Sequence, residues 1–365
     1  MQVNTPIAII KQLNQAGYDA YFVGGCVRDL LLKRPCSDWD ITTSALPEQI
    51  MAVFSDAEPT GISHGTVTVH YEGFVAEVTT FRSDGVYLDG RHPQQVRFVS
   101  SLREDLVRRD FTVNALAMDG EGKIIDMFDG LEDLKQGVLR CIGTPEIRFR
   151  EDALRILRAF RFSAQLGFEI ESETWDALCI CAPLCQKLSV ERMIGEVEKV
   201  LLSDCPQMLW TMAECGVLQK IDVCLRGDPA WISDLPKNRV VRWAAVCKHW
   251  KDVDLTKLRL DKKTAAMAHK ISMINRPENK LAWKQLIASY GKEIADTVAC
   301  FYGDGEIYQS VIQSGECAQL SDLAVNGSDF PGIHGKDLGM LLQEILQHVL
   351  EHPEDNNREK ILKKF

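Results

Sequence analysis

AYFVGGCVRDLLLKRPCSDWDI, residues 20–41, is the stretch that decides the fold of this chain. It opens with a short apolar run at residues 20–23 that indicates a strand. Gly24 and Gly25 then predict a tight turn, and the letters that follow have helical spacing. Such a turn aims backbone N–H groups at an anion, and Arg28 on the first helical turn would reinforce the binding. A plain turn explains the same pattern, so the next segment decides between them.

Two aspartates at alternate positions end this stretch. In a strand, Asp38 and Asp40 point to one face of the sheet, whereas Trp39 and Ile41 point to the other. Two carboxylates on one face repel each other unless a cation lies between them, and hard oxygen ligands suit Mg²⁺. A polar loop would explain the aspartates alone. Beside a glycine turn, they instead predict a triphosphate site with a bound metal, the layout that phosphoryl transfer needs.

The chain changes character after about residue 126. Before it, residues 66–81 alternate as in a β-hairpin with its turn near residue 72. Glu77 on this hairpin is a candidate third carboxylate opposite the aspartates, although a surface glutamate fits the pattern equally well. After it, stretches such as 187–202 and 338–351 have helical spacing. The sequence therefore predicts an α+β fold, a small mixed-sheet head followed by an all-helical remainder.

Residues 146–162, EIRFREDALRILRAFRF, contain neither proline nor glycine and carry apolar side chains at helical intervals. They predict one continuous helix. Four polar residues recur on it every three positions and form a slanted ribbon: Asp152, Arg155, Arg158 and Arg161. Acid–base spacing of this kind is also common on solvated helix faces. Between residues 140 and 161, however, there are six arginines and no lysine, which favours planar recognition of bases or phosphates.

Length and composition exclude several classes of protein. A chain of 365 residues is too long for one core, and 45% hydrophobic with 26% charged residues is ordinary for a globular protein. A leader pattern and an apolar run of membrane-spanning length are both lacking, which predicts a cytoplasmic protein without a membrane partner. The twelve cysteines lack zinc-ligand spacing. The net charge of −10 argues against indiscriminate nucleic-acid binding but permits a local basic cleft.

Six segments carry a resemblance to a known family. They are GGCVRD (24–29), DWD (38–40), RRDFTVNALAMD (108–119), EDALRILRAFRF (151–162), SVERMIGEVEKVL (189–201) and LAVNGSDF (323–330). In this order and spacing they closely resemble the bacterial class II tRNA nucleotidyltransferases, the CCA-adding enzymes of the polymerase-beta nucleotidyltransferase superfamily. The resemblance covers nearly the whole chain. It implies a seahorse-shaped molecule with a catalytic head (1–138), a base-recognising neck (139–200), and a tRNA-binding body (201–290) and tail (291–365).

The resemblance also implies roles for individual residues. Asp38 and Asp40 would be catalytic and bind two Mg²⁺ ions, or Mn²⁺ in their place, and Glu77 is added to them from its strand position. The nucleotide would be bound by Gly25, Arg28, Arg109, Asp152, Arg155, Arg158 and Arg161, with Gly24, Asp110 and Asn114 as further candidates. The substrates would be CTP, ATP and a tRNA that lacks all or part of its 3′ CCA.

An Asp152–Arg155 pair would explain base choice without a nucleic-acid template. Cytosine and adenine each present an amino donor beside a ring acceptor, which complements an Asp acceptor beside an Arg donor. Uracil and guanine present the inverse pattern. They would leave buried polar groups unpaired at about 1–3 kcal/mol each, enough to reject the wrong base.

Alternative functions within and outside the family remain. They are addition of A alone, poly(A) polymerase, and RNA binding without catalysis. Residues 84–93 resemble a flexible loop that CC-only members lack. The net charge of −10 and the short segment after residue 350 argue against poly(A) polymerase. The presence of both Asp38 and Asp40 argues against a non-catalytic protein, and the oligomeric state is open between monomer and homodimer.

Overall fold

The computed structural model describes residues 6–36, 38–84, 96–221, 225, 229–250, 254–255 and 257–365. The chain forms two compact units, residues 1–200 with 211–222 and residues 201–210 with 223–365. The loop interpreted above at residues 84–93 falls almost entirely outside the described residues. Across the part that is described, no helix combines the length and apolar character needed to cross a membrane.

Among the described residues, the strands all lie in the first half of the chain. They are β1 (Ala20–Val23), β2 (Trp39–Thr43), β3 (Ala57–Gly61), β4 (Thr66–Tyr71), β5 (Phe74–Thr80), β6 (Arg82–Asp84), β7 (Val96–Phe98), β8 (Ala117–Met118), β9 (Ile124–Ile125), β10 (Val138–Leu139) and β11 (Glu169–Ile170).

The α-helices extend through both units. They are α1 (Ile7–Gln15), α2 (Gly25–Leu31), α3 (Pro47–Val53), α4 (Leu102–Val107), α5 (Gly130–Gln136), α6 (Pro145–Glu151), α7 (Leu154–Leu166), α8 (Ser172–Cys181), α9 (Val190–Leu201), α10 (Met208–Glu214), α11 (Arg239–His249), α12 (Lys262–Met273), α13 (Lys280–Tyr290), α14 (Lys292–Tyr302), α15 (Gly305–Ser314), α16 (Gly335–Glu351) and α17 (Arg358–Lys364).

The head is built on a seven-stranded sheet in the order β3-β4-β5-β2-β1-β8-β9. Strands β2 and β5 run parallel, and the other neighbouring pairs run antiparallel. The predicted hairpin is confirmed as β4–β5, which turns through Glu72 and Gly73 at φ of 49° and 80°. Two consecutive residues at positive φ form the tight turn whose twist matches the flanking strands.

One face of this sheet packs against α1 and α3 to form the core of the head. Ile41 of β2 is 1% exposed within that core, and Trp39 packs on Phe22 with ring centroids 5.3 Å apart. The predicted division of β2 into two faces is therefore confirmed, because its apolar residues face the core. Asp40 consequently faces away from the core.

The remainder of the chain is mostly helical, as predicted. It also contains one short parallel ladder that the sequence did not indicate, in which Val138 of β10 pairs with Glu169 of β11. In the second unit, side chains of Asn238, Asp261 and Asn279 accept hydrogen bonds from backbone N–H groups at the starts of α11, α12 and α13. These caps satisfy amides that would otherwise lack a partner and fix where each helix begins.

The single helix predicted over residues 146–162 is wrong. Helix α6 ends at Glu151 and α7 begins at Leu154, with Asp152 extended at φ −139° and ψ 106°. The Oδ1 atom of Asp152 accepts a hydrogen bond from the backbone N of Leu154 at 3.0 Å, as aspartates do at helix starts. Asp152 therefore does not lie on one helical ribbon with Arg155.

Candidate active site

The glycine turn brings together three groups from distant parts of the sequence. Gly24 has φ 74° and ψ −134°, a conformation that favours glycine. A Cβ atom on Gly24 would lie 2.9 Å from Nη1 of Arg109 and 3.7 Å from Oδ2 of Asp40. The turn, the guanidinium and the carboxylate thus meet within a few ångströms, as expected for groups that bind one ligand.

A third carboxylate, that of Glu77, lies on the strand next to Asp40. In the parallel pairing of β2 with β5, Asp40 is in register with Glu77, so both side chains lie on the same face. Burial, the largest influence, raises the pKa of Asp40, and the charges of Glu77 and Asp38 raise it further, whereas Arg109 lowers it. Glu77 and Asp38 therefore each lie close enough to Asp40 for their charge to act on it.

The donor set fits a magnesium-type ion that is bound together with a substrate. Among the described residues, no three acidic, histidine or cysteine side chains are placed so that together they could hold a metal ion. A protein usually binds Mg²⁺ through one or two carboxylates and leaves the remaining positions to water and substrate phosphates. The pKa of Asp40 is raised first by burial and then by its like-charged neighbours, and a bound cation would stabilise the ionised carboxylate in this environment.

Four of the predicted polar residues form one hydrogen-bonded chain. Nη1 of Arg28 donates to Oδ1 of Asn114 at 2.6 Å, and Nδ2 of Asn114 donates to Asp110 at 3.1 Å. Asp110 also accepts a hydrogen bond from Nε of Arg158 at 2.6 Å. The Nε and Nη2 atoms of Arg28 donate to the carboxylate of its neighbour Asp29. The chain connects α2 of the head with α7.

Phe162 lies among three of the predicted cations. The guanidinium carbons of Arg28, Arg158 and Arg161 are 5.2, 5.2 and 3.9 Å from its ring centroid. Guanidinium groups are attracted to the negative face of an aromatic ring, which lowers the cost of placing like charges together. Arg161 is additionally paired with the buried Glu196 of α9.

Arg155 does not form a side-chain pair with Asp152 in this structure. Its Nη1 atom donates to Oε2 of Glu151 at 2.7 Å and to the carbonyl of Arg148 at 3.0 Å. Its Nη2 atom donates to the carbonyl of Arg108 at 3.2 Å. Glu151 precedes Arg155 by four residues, the spacing at which an acidic and a basic side chain can pair. Glu151, and not Asp152, is therefore the carboxylate that pairs with Arg155.

Asp152 contacts a different helix. Its Oδ2 atom lies 3.6 Å from Nη2 of Arg192 in α9, and its Oδ1 atom caps α7. Arg148, beside Glu151, donates to the carbonyls of Arg108 and Arg109. The backbone carbonyls of Arg108 and Arg109 are thus bonded to side chains of α6 and α7. Asp152, in contrast, is oriented by its contact with α9.

Two family models match residues 20–221 of the chain in part. The profile described as "Poly A polymerase head domain" matches residues 20–140, and "Probable RNA and SrmB- binding site of polymerase A" matches residues 167–221. The first covers the glycine turn, the carboxylates and Arg109.

Relatives match over almost the full length. The CCA-adding enzyme of Streptococcus pyogenes serotype M5 is 38% identical over 377 aligned positions, which cover 96% of this chain and 93% of that protein. This chain belongs to the CCA-adding enzymes. A second CCA-adding enzyme, from Geobacillus thermodenitrificans, is 49% identical over 248 residues, 66% of this chain and 61% of that protein. The crystal structure of the Bacillus stearothermophilus CCA-adding enzyme in complex with CTP superimposes with a TM-score of 0.82 at 38% identity, covering 98% of this chain and 96% of that one.

Template-independent addition of CCA to tRNA is the reaction of the CCA-adding enzymes, which are nucleotidyltransferases that generally use divalent metals. The sequence alone did not predict a role for two acidic residues of this site. Glu151 holds Arg155, and Asp105 holds Arg108 and Arg109. The signal for both was their spacing of three or four residues before an arginine, which predicts an ion pair on a helix.

The ion pair between Asp110 and Arg158 predicts that the stability of this CCA-adding enzyme depends on pH. Burial raises the pKa of Asp110, but the charge of Arg158 and hydrogen bonds from Asn114 and Arg158 outweigh it and hold the pKa at about 2, below its ordinary value of 3.8. A depressed pKa contributes stability above pH 4 that is lost as the pH falls towards 2. We expect the pH-dependent part of this contribution to be about 2 kcal/mol.

The measurement is the urea unfolding midpoint of the wild type and of Asp110→Asn at pH 6 and at pH 3. The stability difference between them should be largest at pH 6 and shrink at pH 3. Ser163→Ala serves as the control, because Ser163 is buried and hydrogen-bonded but does not titrate. A difference for Asp110→Asn that stays the same at both pH values would contradict the assignment.

Proposed function

We propose that this chain restores the 3′ end of tRNA by adding C, C and A from CTP and ATP with release of pyrophosphate. The observation that carries the proposal is the convergence of the Gly24 turn, the Arg109 guanidinium and the Asp40 carboxylate. Backbone N–H groups and a guanidinium bind phosphate oxygens, and adjacent carboxylates bind divalent cations. Because phosphate-binding groups and a metal-binding carboxylate lie together here, the site supports nucleotidyl transfer and not merely the binding of a nucleotide or of RNA.

In this proposal, Asp38 and Asp40 bind two Mg²⁺ ions, with Mn²⁺ as a substitute, and Glu77 is a further candidate beside them. The ions, when bound, supply activation of the RNA 3′-hydroxyl and neutralise the charge of the triphosphate and departing pyrophosphate. The exposed positions of Asp38 and Glu77 and the half-buried position of Asp40 leave the carboxylates accessible to a substrate.

The arginines supply the opposite charge. We assign Gly25, Arg28 and Arg109 to the triphosphate, and Arg158 and Arg161 to the nucleotide beyond it. The Nε atom of Arg109 is buried and has no hydrogen-bond partner among the described residues. A buried donor without an acceptor is costly, so a bound phosphate oxygen would relieve this cost.

We further propose that Asp152 and Arg155 read the base edge. The guanidinium of Arg155 donates to Glu151 and to two carbonyls in this structure. To bind a base edge, the guanidinium of Arg155 must therefore give up one of these three hydrogen bonds and donate to the base in its place. Glu151 then acts as the alternative acceptor that holds Arg155 in place between additions.

Asp152→Ala should relax base choice instead of abolishing addition. Loss of one buried acceptor removes about 1–3 kcal/mol of discrimination, so the CTP-over-UTP preference should fall by about 5- to 150-fold. The measurement is competitive incorporation of UTP and GTP beside CTP. Arg150→Ala is the control, since Arg150 lies on α6 in an exposed ion pair with Glu146. An unchanged preference in Asp152→Ala would remove Asp152 from the base-reading role.

The experiment that tests the proposed function offers CTP alone, ATP alone and both to tRNAs that end at the discriminator base, at C and at CC. Complete addition requires extension by C on the first two substrates and by A on the third. Extension of the CC-ending tRNA alone would indicate an A-adding enzyme. Long A tracts would indicate a poly(A) polymerase, and no extension with retained tRNA binding would indicate an RNA-binding protein.

We also propose the division of labour along the chain stated above. Nucleotidyl transfer would occupy residues 1–138 and base recognition residues 139–200. The tRNA would be bound by residues 201–290 and 291–365.

A further inference from the structure

One fully buried carboxylate joins the elements that surround the glycine turn. Oδ1 of Asp105 in α4 accepts from Nε and Nη2 of Arg108 at 3.0 and 2.8 Å and from the backbone N of Arg82 at 3.3 Å. Oδ2 accepts from Oγ1 of Thr42 at 3.2 Å and from Nη2 of Arg109 at 3.4 Å. Asp105 therefore connects α4, β2, the start of β6 and the backbone turn after α4.

The position of Thr42 gives this contact a functional consequence. Thr42 follows Asp40 by two residues in β2, so both side chains lie on the same face of the strand. Oδ2 of Asp105 binds Thr42 and Arg109 at once. The Thr42 hydroxyl also lies within hydrogen-bonding distance of the carbonyl of Thr79, at 3.3 Å. Through Thr42 and Arg109, Asp105 links the strand that carries Asp40 to the guanidinium beside that carboxylate.

The charges of this cluster explain why the carboxylate is ionised. Burial raises the pKa of Asp105, but the charges of Arg108 and Arg109 outweigh it, and the pKa is lowered. A buried carboxylate that binds two guanidiniums through fixed hydrogen bonds has one well-defined orientation. Without it, both arginines would lose a charged acceptor in a site where position decides function.

We propose that Asp105 is a positioning residue for nucleotidyl transfer, which holds the Arg109 guanidinium beside Asp40 for binding the nucleotide. The inference rests on the proposed role of Arg109 in binding the triphosphate. Asp105 touches no reacting atom in this scheme and acts through Arg109.

The first test is equilibrium binding of CTP, in the presence of Mg²⁺, to the full chain carrying Asp105→Asn. Because an ionic hydrogen bond that orients Arg109 is lost, the Kd for CTP should rise about tenfold or more. The affinity for tRNA should remain within twofold of the wild type, about the scatter of such measurements. Asp304→Asn is the matched control, since Asp304 is a buried carboxylate paired with Arg276 in the second unit. It should leave CTP binding unchanged.

A double-mutant cycle separates positioning from general destabilisation. If Asp105 acts through Arg109, then Asp105→Asn should have no further effect on CTP affinity in an Arg109→Ala background. A merely structural role would weaken CTP binding by the same factor in both backgrounds and would overturn the inference.

Thr42 provides a test that does not depend on the folding of the Asp105 variant. Thr42→Val removes the hydroxyl at nearly constant volume and should raise the Kd for CTP about threefold, whereas Thr42→Ser should restore it. If Asp105→Asn does not fold, an unchanged Kd in Thr42→Val overturns the inference.

The proposed function and this inference fail in different ways. Wild-type CTP binding by Arg109→Ala would remove Arg109 from the nucleotide site and overturn the positioning role with it, whereas the proposed function itself fails only if the tRNA extension experiment shows no addition of C and A. Weakened binding by Arg109→Ala with wild-type binding by Asp105→Asn would leave the proposed function intact and overturn the positioning role alone.

Discussion

Asp40→Asn should reduce nucleotide addition by about 1000-fold or more while tRNA binding stays within twofold, because several kcal/mol of metal-assisted stabilisation is lost. The amide keeps the shape of the side chain and one oxygen but has no negative charge for a divalent cation. Arg109 would also lose the nearby carboxylate whose charge it opposes at the glycine turn. The measurement is single-turnover addition of CTP to a tRNA ending at the discriminator base, with tRNA affinity measured separately.

Asp119→Asn is the matched control for this experiment. Asp119 lies in the turn between β8 and β9, where its Oδ1 atom accepts hydrogen bonds from the backbone N of Glu121 and Lys123. Asparagine can accept the same bonds, so addition should remain at the wild-type rate. If Asp40→Asn retained more than a tenth of wild-type activity, the carboxylate would not be part of the catalytic metal site.

Glu77→Gln extends the same experiment to the third carboxylate. Glu77 is in register with Asp40 across β2 and β5. A role in metal binding predicts a loss of at least about tenfold, the rate equivalent of one moderate interaction. Wild-type activity in this variant would leave Asp38 and Asp40 as the acidic residues of the site.

Arg242→Met should cost the second unit about 3–5 kcal/mol of unfolding free energy. Arg242 is 2% exposed and donates to four backbone carbonyls, those of Leu201, Ser203, Leu235 and Pro236. Methionine fills much of the volume but donates no hydrogen bond, so these buried oxygens lose their partner together. Lysine should rescue little, because one ammonium group cannot reach four acceptors arranged for a planar fork.

The measurement is urea unfolding followed by tryptophan fluorescence, fitted as separate transitions if the units unfold separately. Arg239→Met is the control on the same helix. Arg239 is 40% exposed in its ion pair with Asp261, so its loss should cost no more than about 1 kcal/mol. Equal losses in the two variants would show that the buried carbonyl contacts are not what stabilises this region.

Local patterns predicted the parts of the fold that short-range physics controls. The strand at residues 20–23, the turn at Glu72 and Gly73, and the opposed faces of β2 each follow from side-chain alternation or turn preference within a few residues. The break at Asp152 had no such signal. The extended backbone there is compatible with a capping aspartate, but an acidic residue in a helical pattern is equally compatible with a continuous helix.

By itself, the amino-acid sequence determined the mixed head, the helical remainder, the family resemblance and the list of residues from which the site is drawn. The sequence also offered Glu77 as a carboxylate opposite the aspartates, and the strand register pairs it with Asp40. Only the tertiary structure decided the partners of the arginines: Glu151 for Arg155, and Asp105 between Thr42 and Arg109. The physical reason is that alternation and spacing assign a side chain to a face. Which group it meets on that face depends on strand register and on the burial of residues far apart in the chain.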